Sequence, residues 1–126
     1  MTYDEIVAMV QEIGLPCTYD HFAEGESPDP PFVVFLFPES DNFFADGIVY
    51  HQRTELAIEL YTDLKQPQYE RQVEQVLARH DVPWNKTEVW IEDERLYEVR
   101  YGTLVDYDSS PDEEQEEEAH NHAQEE

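Results

Sequence analysis

Residues 53–63 read RTELAIELYTD. Leu56, Ile58 and Leu60 alternate there with Glu55, Glu59 and Tyr61. A period of two puts the first three side chains on one face and the second three on the other, the pattern of a strand with one face in a core. Upstream, Phe32 to Phe37 (FVVFLF) is an unbroken apolar run. It predicts a strand buried on both faces, or one in an interface, with Pro38 ending it. Downstream, Pro67 suits the first turn of a helix. Tyr69, Val73, Val76, Leu77 and His80 share one face of that helix, Glu70, Arg71 and Glu74 lie mostly opposite, and Pro83 marks its end.

The flanks complete the pattern. Thr2 followed three residues later by Glu5 is a capping box, and Ile6, Met9, Val10 and Ile13 form a helical stripe. Gly14 and Pro16 close that segment, so a helix is predicted over 3–13. CTYDHF (17–22) reads as a short strand and AEGESPDPP (23–31) as a Pro-rich acidic loop. Ile48 to Gln52 resumes extended structure. TEVWIED (87–93) and RLYEVRYGTLV (95–105), separated by a short charged turn, read as a hairpin. The expected fold is a single α+β domain over residues 1–107, with two helices and a mostly antiparallel sheet in the order α-β-β-β-α-β-β. Its core is expected around Ile6, Val10, Phe35, Ile58, Leu60, Val73 and Leu77. Residues 108–126 carry a carboxylate run with no apolar periodicity, which predicts a disordered acidic tail.

Charge narrows the partners. The chain has 31 acidic and seven basic residues, a formal net charge of −24. The excess is not confined to the tail, since residues 1–107 hold 22 acidic residues against all seven basic ones. Such a surface repels phosphate, which disfavours wrapping DNA or lying on anionic lipid. It suits lining a channel that DNA passes through, mimicking DNA, or meeting a basic partner. The single cysteine, Cys17, excludes an intrachain disulfide and reads as a small buried hydrophobe at a strand start. With no signal-peptide pattern, a cytosolic origin is expected. The longest apolar run is far too short to span a bilayer, so no membrane partner is expected.

Catalytic and cofactor signals are weak. His21, His51, His80, His120 and His122 show no dedicated zinc spacing. Glu92, Asp93 and Glu94 read as a solvated hairpin tip. PESDNFFADG (38–47) departs from the calcium-loop pattern, and neither a phosphate-cradling glycine loop nor a nucleophile elbow occurs. No enzymatic activity, cofactor or metal is expected. Phe43 and Phe44, adjacent aromatics flanked by turn residues, raise a different possibility. Either the loop folds back and buries both rings, or at least one enters a neighbouring subunit. Phe43, Phe44, Asp46 and Tyr50 are the candidate subunit-interface residues.

The segment PPFVVFLFPESDNFFADGIVYHQRTELAIELYTDLKQP, then VEQVL and KTEVWIEDERLYEVRYG, resembles a family of small prophage proteins from long, non-contractile-tailed phages of Gram-positive bacteria. The likeness runs from about Gly14 to Tyr101, and SDNFFADG, IELYTD and LYEV are its most specific words. It implies a tail-terminator or tail-completion protein of the virion tail, assembled in the cytoplasm of the bacterial host. Such a protein caps the tail tube as a ring of six identical subunits and contacts the major tail protein and the head connector. DNA would only pass through the lumen, and there is no catalytic motif to carry over. The alternative from charge alone is an acidic DNA mimic that inhibits a host DNA-binding or defence protein.

Ending the chain after Tyr107 removes nine carboxylates and no expected core residue. The melting temperature of the shortened protein at low salt should be unchanged or slightly raised, because self-repulsion falls. Loss of cooperative unfolding in calorimetry would show that the tail packs on the body.

Overall fold

The computed structural model describes residues 1–42 and 52–107. The elements are α1 (Tyr3–Gln11), β1 (Cys17–Tyr19), β2 (Phe32–Asn42), β3 (Gln52–Thr62), α2 (Pro67–Arg79), β4 (Asn85–Ile91) and β5 (Leu96–Tyr107). The order and the α+β class are those expected from the sequence. The five strands form one sheet in the order β1-β2-β3-β5-β4. β1 runs parallel to β2, and the other three pairings are antiparallel.

Local chemistry sets the helix ends. The Glu5 backbone N–H donates to Thr2 Oγ1 and the Thr2 N–H donates to Glu5 Oε1, both at 3.1 Å. These bonds, the backbone one first, hold the Glu5 carboxyl below the usual carboxylate range. α1 ends two residues earlier than its stripe predicts, at Gln11, and Gly14 follows at φ +86°. Ile13 lies outside the helix yet stays buried in the core. α2 starts with Pro67 at its first turn, where the missing N–H costs nothing.

Both helices cover the same face of the sheet. Ile6, Met9, Val10 and Ile13 from the first helical segment, and Val73, Val76, Leu77 and Val82 from the second, pack on Val33, Phe35, Leu56, Ile58, Leu60, Val99 and Tyr101. All seven core residues expected from the sequence are buried. Tyr101 joins the layers: fully buried, it donates its hydroxyl to Glu74 Oε2 on α2 at 2.7 Å. Gln72 Nε2 donates to the Ile13 carbonyl at 3.1 Å and ties α2 to the end of the first helical segment.

Two expectations about the strands change. β1 is shorter than CTYDHF, because Asp20 turns the chain at φ +67°. Pro38 does not end β2, which runs on to Asn42. Leu36 pairs with Ala57 and Glu39 with Glu55, so Phe37 and Pro38 together stand opposite Leu56 alone. That bulge takes the proline out of the hydrogen-bond ladder it would otherwise break. The Pro-rich segment is a loop, as expected. Adjacent parallel strands require a crossover of a dozen or more residues, and residues 20–31 supply it between β1 and β2. It crosses the face without helices, where Phe22 meets Phe32 edge-on at 5.4 Å. Phe32 and Val34 are buried there while Val33 and Phe35 are buried under the helices, so the apolar run is covered on both faces.

Tyr101→Phe keeps the packing and removes the bond to Glu74. Glu74 retains Lys86 at 3.0 Å, so the loss should be modest, about 1.5 kcal/mol in urea unfolding. An unchanged midpoint would show that this hydrogen bond adds nothing to the hold of the sheet on α2.

Candidate functional site

The four candidate interface residues, Phe43, Phe44, Asp46 and Tyr50, lie in the segment joining β2 to β3, outside the described residues. Of the predicted extended stretch Ile48 to Gln52, Gln52 begins β3 and the rest also lies outside them. So do His51, His120, His122 and the acidic tail.

Among the described residues, the most unusual chemistry sits on the face without helices. The β3–β5 register sets Glu59 opposite Arg100 and Tyr61 opposite Glu98. Tyr61 donates its hydroxyl to Glu59 Oε1 at 3.0 Å, and Arg100 Nη1 lies 3.7 Å from Glu59 Oε2. Glu59 is only 8% exposed. The alternation in RTELAIELYTD assigns it to the polar face, and that face is largely covered at this point. Phe32 stacks on Tyr61 with ring centres 5.1 Å apart, so Phe22, Phe32 and Tyr61 form an aromatic file ending at the carboxylates. Burial, then the hydrogen bond and charge of Glu59, push the Glu98 carboxyl up to about 7, against a smaller pull from Arg100. Burial and the same two carboxylates push the Tyr61 hydroxyl up as well. The group therefore holds a proton near neutral pH, with one guanidinium to balance two carboxyls.

Farther along the same face, a groove of about 670 Å³ opens over Gly102. Glu55, Trp84, Asn85, Thr87, Arg100 and Leu104 are among its walls. It is wide and open to solvent, and its two charged groups have opposite sign. No histidine or cysteine lines it.

The remaining reactive side chains are placed as structural groups. Cys17 is half-buried at the start of β1, against the core, and burial pushes its thiol up, away from the reactive thiolate. His21 Nδ1 lies 2.7 Å from Asp20 Oδ2 on the surface. His80 caps α2 and contacts the Glu12 carboxylate. Among the described residues no three His, Cys, Asp or Glu side chains come together in a way that could hold a metal ion, and no helix is long and apolar enough to cross a membrane. In comparisons with known proteins, no family model and no curated protein matches the chain.

The Glu59–Glu98 pair escapes sequence reading. Each glutamate sits at an ordinary alternating position of its own strand. Only the non-local register of β3 against β5 brings buried Glu59 and partly buried Glu98 together. The signal that was present is weaker: a tyrosine two residues after a strand glutamate, Glu59 and Tyr61, on the same face.

A proton held at Glu98 gives a definite pH dependence. The folded-state pKa lies above that of an unfolded glutamate, so the folded chain binds the extra proton. The stability this contributes is full below about pH 4.5 and is lost as pH rises through about 7. Glu98→Gln should therefore stabilise the protein at pH 8, by on the order of 1 kcal/mol after discounting for solvent screening. At pH 5 it should have little effect. Chemical unfolding at both pH values checks this, and equal effects at the two would mean that Glu98 is not the titrating group.

Proposed function

We propose that this chain is a structural virion protein, a tail terminator that caps a long non-contractile phage tail as a homo-oligomeric ring and joins it to the head connector. The observation that carries the reading is a convergence of backbone at one end of the sheet. Asn42 pairs with Gln52, and Gln52 pairs with Tyr107. The residues that flank Phe43 and Phe44 in the chain, and Tyr107 before the acidic segment, therefore lie side by side on neighbouring strands. Beside them the sheet has narrowed. β1 pairs with β2 no farther than Phe35, and β4 pairs with β5 no farther than Gly102. Beyond those points β2, β3 and β5 continue alone.

A three-stranded extension bearing an aromatic pair suits insertion against a neighbouring subunit. Resemblance to the prophage family supports the same reading through SDNFFADG, the segment that begins at Ser40. The charge supports it too. An acidic ring wall would let DNA slide through without holding it, and capping a tube needs no bond-making group. Three cations of the body are committed within the subunit: Lys65 to Glu70 and Glu88, Lys86 to Glu70 and Glu74, and Arg100 to Glu59.

The decisive residues are Phe43 and Phe44. Burying one phenylalanine at an interface contributes roughly 1.5–3 kcal/mol, and a ring repeats that contact at every joint. Phe43→Ser with Phe44→Ser should leave a soluble subunit whose melting temperature changes little, because the core lies elsewhere. Particles assembled with it should show tails of uncontrolled length in electron microscopy. Tails of normal length would overturn the assignment of this loop as the joint. Tight binding of the native protein to a basic DNA-binding protein, competed by DNA, would favour the DNA-mimic reading instead.

A further inference from the structure

β4 forms one edge of the sheet, and its seven residues are exposed almost throughout. Apolar exposure gathers there, with Val89 54%, Trp90 40% and Trp84 36% exposed. Natural sheet edges are ordinarily guarded by lysines, prolines or bulges. Pro83 precedes this strand rather than interrupting it, and the pairing with β5 has no register shift. The strand's lysine does not guard the edge either. Lys86 folds back over the helix side onto Glu70 and Glu74, at 3.0 Å each.

The charges left on β4 are self-complementary. An ammonium group has three donors, and Lys86 uses two of them on α2. Glu88 holds Lys65 through Oε1, and its Oε2 has no partner among the described residues. A lysine 36% exposed and a glutamate 40% exposed, of opposite charge, thus sit two positions apart on the same face of the same edge strand. We infer that two copies of this chain join β4 to β4, antiparallel, in the register that sets Thr87 opposite Thr87 of the second copy.

Neighbouring registers fail on charge. Twofold antiparallel pairing brings positions of like parity together, because each side of the sheet must continue across the join. Centring on Lys86 or on Glu88 opposes like charges. Centring on Thr87 opposes Lys86 to Glu88 twice and brings Trp84 beside Trp90 of the second copy. The result is a continuous ten-stranded sheet with all four helices on one side. The other edge is a poor substitute, since β1 has only three residues. This pairing is a property of the free chain and does not rest on the ring reading. A ring built through the β2–β3 end would leave β4 available.

Cysteine cross-linking in the full chain tests the register, with Cys17→Ser as background. Thr87→Cys places two thiols opposite each other within disulfide reach, whereas Val89→Cys places each opposite Asn85. Under mild oxidation Thr87→Cys should form covalent dimer about tenfold faster than Val89→Cys, and Asn85→Cys with Val89→Cys should recover the fast rate. Glu88→Lys, which opposes two lysines, should weaken the dimer about tenfold in sedimentation equilibrium at about 0.15 M salt. Equal cross-linking rates for the two single variants, a dimer unaffected by Glu88→Lys, or a native chain that sediments as a monomer at every concentration would each overturn the pairing.

Discussion

β5 pairs with β3 residue for residue, from Gln52 with Tyr107 to Thr62 with Tyr97. This contact between distant parts of the chain determines what each face of the sheet carries. On one side it lines up Leu60 with Val99 and Ile58 with Tyr101, making the floor on which both helices rest. On the other it lines up Glu59 with Arg100 and Tyr61 with Glu98. A slip of one residue would turn every β5 side chain to the opposite face and bury Glu98 and Arg100 under the helices. Core and carboxylate pair thus depend on the same ladder of backbone hydrogen bonds.

Electrostatics divide in the same way. Lys86 bridges the edge strand to Glu70 and Glu74 and lies 5.9 Å from the rings of Trp84 and Tyr101. Burial raises the Glu70 carboxyl, but Lys86 and Lys65 outweigh it and hold that group below the usual range. The acid groups of Lys86, chiefly Glu74 and then Glu70, hold its ammonium above the usual range. These cations are spent on the subunit's own carboxylates. Each such pair neutralises a carboxylate as well as a cation, so what the molecule presents outward is the surplus of carboxylates over cations.

Where structure followed from near neighbours, the sequence was readable. β3 was legible in its alternation, α1 in the Thr2–Glu5 capping box, and α2 in Pro67 and the Val73–Val76–Leu77 face. Readings failed where distant segments decide. Pro38 looks like a stop because its effect on a ladder is local, but whether a ladder can bulge around it depends on β3. Glu59 looks solvated because alternation says which face a residue is on and not what covers that face. CTYDHF looks like a strand to its end because nothing in its composition reveals that the chain turns at Asp20 and that Phe22 lands on Phe32. For the proposed joint, Phe43 and Phe44 stand out as adjacent aromatics between turn residues, and the described fold adds that the flanking residues Asn42 and Gln52 are paired.

The extra residue at Phe37–Pro38 also controls phase. Before it, the odd-numbered positions of β2, Val33 and Phe35, pair with the helix-side residues Leu60 and Ile58. After it, an even-numbered position, Ser40, pairs with buried Thr54. Deleting one residue there would straighten the strand and invert the parity of every position up to Asn42. The chain leaving the end of β2 would then start upside down relative to the sheet. A single codon in an otherwise permissive strand thus acts as a frame marker for the chain that follows, so length at this point is constrained more tightly than residue identity.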